Sequence, residues 1–141
     1  MKLFSFIGIL IFAFTCLFAK VEYVELDEAD FCGDFKEANW SKAFMAFLQH
    51  KGHSAKAEVA CTGGRCDILT EDFAIEVDCA AKWHEAVGQT CHYSLMLKKP
   101  AAIAIFNWES LSKDKLKALK RTASHRRIKA FFLSLRRELR D

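Results

Sequence analysis

The stretch Arg65–Tyr93, RCDILTEDFAIEVDCAAKWHEAVGQTCHY, constrains the fold most, because it puts acidic residues on two short strands that run directly into a helix. Successive strand side chains point to opposite faces, so Glu76 and Asp78 share one face while Ile75, Val77 and Cys79 occupy the other. A Gly63-Gly64 turn precedes the strand Arg65–Thr70, and Thr70-Glu71-Asp72 folds that strand back on Phe73–Ala80, which brings Asp67 close to Glu76. The result is an acidic cluster of the kind that suits Mg2+, a cation that takes oxygen ligands. In the helix that follows, Lys82, Gln89 and Tyr93 fall within roughly 20° of one line and form a polar stripe. Trp83 and Val87 lie on a neighbouring face that packs on the sheet.

The rest of the chain alternates helices and strands. Phe31–His50 is apolar at helical spacing through Phe35, Trp40, Phe44, Phe47 and Leu48, and Gly52 follows as a stop signal. Ser54–Cys61, Arg65–Thr70 and Phe73–Ala80 read as a meander of three strands. The motif helix, Lys82–Leu97, ends at Lys98-Lys99-Pro100. Ala101–Phe106 is a continuous apolar run, as a strand buried on both faces requires. A charged helix, Ser112–His125, and a strand, Ile128–Leu135, complete an α/β order that fits a mixed central sheet flanked by helices in three layers.

These elements together resemble the PD-(D/E)XK nuclease superfamily, in its RecB-like and lambda-exonuclease-like branch, over residues 29 to about 110. Asp67 matches the motif aspartate, Glu76-Val77-Asp78 the (D/E)-x-K strand, and Gln89-Thr90-Cys91-His92-Tyr93 the Q-x-x-x-Y helix. Glu58 matches an acidic residue on the preceding strand. Two positions depart from the pattern: Cys66 replaces the motif proline, and Asp78 stands where the catalytic lysine belongs. Lys82, one helical turn further on, carries a long and mobile ammonium group that suits the same role.

The resemblance implies a restriction-endonuclease-like core and Mg2+-dependent hydrolysis of phosphodiesters, with Mn2+ as a substitute ion. Asp67, Glu76 and the Val77 carbonyl would bind the metal, assisted by Glu58 or Asp78. Lys82 would stabilise charge on the phosphate, Gln89 would orient water or phosphate, and Tyr93 would brace the site or touch the nucleic-acid backbone. Each residue also has a plainer reading. Glu76 and Asp78 can be the solvent face of an edge strand, Lys82 and Glu85 a surface pair, and Tyr93 a half-buried helix residue.

Met1-Lys2 followed by the apolar stretch Leu3–Phe18 reads as a signal peptide cleaved after Ala19, which implies export to the periplasm or medium and leaves no stable membrane span. The residues before Cys16, Ala13-Phe14-Thr15, are too bulky to favour a lipoprotein. Five cysteines remain beyond the leader, a number that suits an oxidising compartment, and Cys61 and Cys66 flank a turn that a disulfide can bridge. The spacings of the cysteines and of His84 and His92 do not reproduce structural zinc sites.

Charge is uneven. From Lys113 onward, eleven basic residues, among them Lys120, Arg121, Arg126 and Arg127, stand against Asp114, Glu138 and Asp141. Cations for a phosphate backbone beside carboxylates for a metal suit a nucleic-acid substrate, DNA ahead of RNA. Three function classes stay open: an exported nuclease, a nuclease-fold protein that only binds nucleic acid, and a disulfide-containing envelope protein with a basic partner-binding tail. No interface signature fixes an oligomeric state.

Overall fold

The apolar run Ala101–Phe106 lies at the middle of the molecule, where its two-sided hydrophobicity belongs. The computed structural model describes residues 21–31 and 33–136; the expected leader, Cys32, Arg137 and Arg140 lie outside them. The strands are β1 (Val21–Leu26), β2 (Ala55–Cys61), β3 (Gly64–Thr70), β4 (Ala74–Cys79), β5 (Ala101–Phe106) and β6 (Lys129–Leu135). The helices are α1 (Glu37–His50), α2 (Trp83–Leu97) and α3 (Lys113–His125). One six-stranded mixed sheet runs β1-β6-β5-β4-β3-β2. β4, β5, β6 and β1 are parallel, and β2, β3 and β4 form the antiparallel meander.

Small and large side chains alternate along β5, and this alternation sets the layers. Ala102 and Ala104 face α1 and leave room for its aromatic side chains, so Trp40 stacks on Phe106 at 5.0 Å and Phe44 packs on Phe131. Ile103 and Ile105 fill the opposite face against Trp83 and Ala86 of α2 and Leu119 and Ala123 of α3. One helix on one face and two on the other make an α/β arrangement with the sheet in the middle layer.

Most expected elements form with small changes at their ends. α1 starts at Glu37 instead of Phe31, because Gly33 turns the chain at φ +108° and Asp34 takes hydrogen bonds from Asn39. Gly52, at φ +91°, ends the helix with its amide on the Gln49 carbonyl. Ser112 caps α3 by accepting the Lys115 amide at 3.3 Å. The expected order omits β1, whose sequence Val-Glu-Tyr-Val-Glu-Leu alternates and buries Val24 and Leu26. It pairs along its whole length with β6, its partner distant in sequence.

Thr90 docks α2 on the sheet. It is fully buried, and its hydroxyl lies 2.7 Å from the Ala102 carbonyl and 3.1 Å from that of Ala74, so it straddles β4 and β5. Thr90→Val keeps the shape and removes the donor. It is expected to cost about 1 kcal/mol, readable as a lower urea midpoint with an unchanged slope.

Candidate metal centre

The site begins where two strands part. β3 and β4 pair only at Ile68–Ile75 and Leu69–Ala74, after which the Asp67 carboxylate replaces the ladder by accepting the Val77 amide at 2.9 Å. On its other side, Asp67 stands opposite Glu58, which interrupts the β2–β3 ladder with a left-handed backbone at φ 51°. The meander thus opens on both sides of Asp67 and aims its carboxylate at β4.

Four acidic side chains converge there. Asp67 and Glu76 lie close enough to perturb each other, as do Asp78 and Glu37, the first residue of α1. Glu76 is 7% exposed and Asp78 5%, and the Oε2 atom of Glu76 is buried without any hydrogen-bond partner. Burial, then the negative charges of Asp67, Asp78 and Glu37, push the Glu76 carboxyl up to about 8. Burial also lifts Asp78 to about 6, with Glu37 adding to the rise while the Cys79 amide and Lys82 oppose it. Asp67 is raised as well, mainly by burial, against the pull of the Val77 amide. Ionising all four carboxyls together would put more negative charge here than Lys82 offsets, so protons are held to higher pH, and a cation is the other means of balancing that charge.

The surroundings sort the expected site residues. Lys82 ends a 3-10 turn, Ala80–Lys82, and its Nζ lies 3.9 Å from Glu37 Oε2, at the rim beside Asp78. α2 starts at Trp83 with Lys82 as its N-cap; Lys82 and Gln89 are exposed, whereas Tyr93 of the expected stripe is buried. Gln89 is exposed and makes no hydrogen bond among the described residues, so the expected role in orienting water has no contact behind it. Tyr93 is buried, with its hydroxyl so close to Gly64 that a Cβ there would sit 2.6 Å from it. It braces the turn before β3, in keeping with the bracing alternative among its expected roles. Val77 meets Asp67 through its amide, whereas its carbonyl was expected to serve. Glu58 is exposed and lies 3.7 Å from Arg65.

The basic residues are also placed differently. Arg126 and Arg127 precede β6, at the sheet end where β4 starts, while Asp78 lies where β4 finishes. A strand of this length separates the two ends by about 15–20 Å. Lys120 is held over Tyr23, its Nζ 2.8 Å from the Tyr23 hydroxyl, and Arg121 is an exposed residue on the same helix. The expected adjacency of Arg126 and Arg127 to the carboxylates is therefore not found.

Sequence reasoning missed Glu37, which sat inside an overlong helix; an acid at a helix start was the available signal. The disulfide expected between Cys61 and Cys66 is not formed. Cys61 pairs with Gly64 and Cys66 with Val59, and the buried Cys66 thiol bonds to the Ile68 and Ile75 carbonyls. Among the described residues a tighter His/Asp/Glu group exists, His53, Glu71 and Asp72, within 4.8 Å of one another. Both Glu71 oxygens already have partners there, one His53 and one the Ser54 amide, and its own backbone amide, then His53, hold its carboxyl below the usual range. Among the described residues no helix is long and apolar enough to cross a membrane. The chain matches no protein-family model, no curated protein and no solved structure.

Proposed function

We propose that the protein is an exported, metal-dependent nuclease, hydrolysing phosphodiesters of DNA ahead of RNA, with the restriction-endonuclease-like core of the PD-(D/E)XK superfamily. The observation that carries this reading is the Asp67–Glu76 pair where β3 and β4 part, Glu76 buried with one oxygen left unpartnered and Asp67 half-buried beside it. An oxygen-only donor set with unneutralised charge fits Mg2+ or Mn2+. Asp67 and Glu76 would hold the ion, and Asp78 and Glu37 would add charge from the flank. The chemistry such an ion supplies is Lewis acidity toward a phosphoryl oxygen and a lower pKa for the attacking water. The Val77 amide fixes the Asp67 carboxylate, so the pair is set before substrate arrives. Lys82, kept at the rim by Glu37, offers its ammonium to the negative charge that grows on the phosphate.

A second reading, binding without cutting, rests on Asp78 at the lysine position and on Lys82 pairing with Glu37 and not with Glu76. Incubating the protein with circular and linear DNA, in Mg2+, Mn2+ or EDTA, separates the two. The nuclease reading expects cutting that EDTA abolishes and that Lys82→Ala slows by about 10²–10³-fold with little change in DNA affinity. A folded protein that binds both DNAs and cuts neither with either ion supports the second reading and overturns the first.

A further inference from the structure

The two clefts that flank the acidic cluster bear on how a substrate would lie. Both open at the sheet end where β4 and β5 finish. One, of about 440 Å³, lies between α1 and the β2–β3 hairpin and is lined by Glu37, Lys42, Glu58, Arg65 and Asp67 among others. The second, of about 470 Å³, lies between the starts of α2 and α3 and is lined by Ala80, Ala81, His84, Ser110 and Lys115 among others. Lys82 stands between them, joined to the first cleft by Glu37 and to the second as the next residue after Ala81.

Each cleft carries a cation that makes no ion pair among the described residues: Lys42 in the first and Lys115 in the second. In the second cleft Ala80, Ala81 and Ala118 add only small side chains to the lining beside Lys82. His84 is stacked on Trp83 at 3.5 Å, which holds its exposed ring at the cleft wall. The sequence of charges is therefore cation, carboxylates, cation. A mononucleotide would use only the middle of this row, whereas a polymer with a phosphate at every residue would use all of it.

We propose that a nucleic-acid strand lies along this row, from the Lys42 and Arg65 cleft over Lys82 into the His84 and Lys115 cleft, and that Arg121, Arg126 and Arg127 lie off its path. This rests on the nuclease reading and adds to it the substrate's direction and its phosphate contacts. Both clefts are open and present a charged side chain to a passing strand, so they hold the backbone and not a particular base.

The test measures binding of a fluorescent oligonucleotide by anisotropy in Ca2+, and cutting of the same oligonucleotide in Mg2+, for the protein and three variants. Lys42→Glu and Lys115→Glu are each expected to weaken binding at least about tenfold and to lower the salt slope by about one, while the double variant Arg126→Glu/Arg127→Glu stays within about twofold. The changed side chains are exposed, and equal thermal midpoints confirm that the variants fold. Weaker binding in Lys42→Glu and Lys115→Glu with no cutting by the parent keeps the path and overturns the chemistry. Cutting by the parent with unchanged binding in those two, or with binding lost only in the arginine double variant, overturns the path and keeps the chemistry. A parent that neither binds nor cuts overturns both.

Discussion

Asp67→Asn is expected to abolish metal-dependent cutting of DNA, by at least about a thousandfold, while the protein stays folded. Asp67 Oδ2 accepts the Val77 amide where the β3–β4 ladder has ended, and an asparagine carbonyl can accept the same bond. What the amide cannot supply is the negative charge beside Glu76. Losing a charged ligand removes several kcal/mol from the stabilisation a metal offers the transition state, and about 1.4 kcal/mol corresponds to each tenfold in rate. Gel-based cutting assays with thermal melting in parallel read both quantities. Asp67→Ala, which also strands the Val77 amide, is expected to lose the same activity and in addition about 1–3 kcal/mol of stability.

Glu76→Gln is expected to stabilise the metal-free protein at neutral and alkaline pH while ending its activity. Burial and three neighbouring carboxyls raise the folded-state value of Glu76 from 4.5 to about 8. A raised acid adds stability that is complete below its unfolded value and is lost as pH rises through its folded one. The metal-free protein is therefore expected to be firmest near pH 4.5 and to weaken steadily toward pH 8. Asp78, raised to about 6, contributes the early part of that loss. Glutamine carries no charge at any pH, so the melting temperature of Glu76→Gln should fall much less across the same window, exceeding the parent by roughly 5 °C at pH 8. Mg2+ should raise the parent's midpoint most at high pH and leave the variant's unchanged. A parent whose metal-free midpoint is flat between pH 5 and pH 8 would contradict this picture of an uncompensated buried cluster.

Local pattern carried much of the architecture. The run Ala101–Phe106 reads as a two-sided buried strand because every residue in it is apolar, and Ser112 announces α3 because its hydroxyl caps the helix. Glu76 and Asp78 share a face simply because a strand alternates. What the pattern did not carry is long-range. β1 depends on β6 for its place, and six residues of alternation beside a hydrophobic leader did not declare themselves. Glu37 joins the acids only because α1 crosses the sheet with its start over the end of β4, a relation no local spacing encodes. The displaced arginines teach the same lesson. Arg126 and Arg127 are close to the acids in composition arguments and a strand length away in space, because α3 runs back to the opposite end of the sheet.

The measurement that bears most directly on the account is titration of the metal-free protein with Mn2+ at neutral pH, followed by the electron paramagnetic resonance signal of the free ion. Parallel titrations use Glu76→Gln and His53→Ala. The account expects the parent and His53→Ala to remove Mn2+ from solution alike and Glu76→Gln to lose that capacity. Binding that survives in Glu76→Gln, or that disappears in His53→Ala, would place the ion away from the buried carboxyl pair and contradict the assignment of the site.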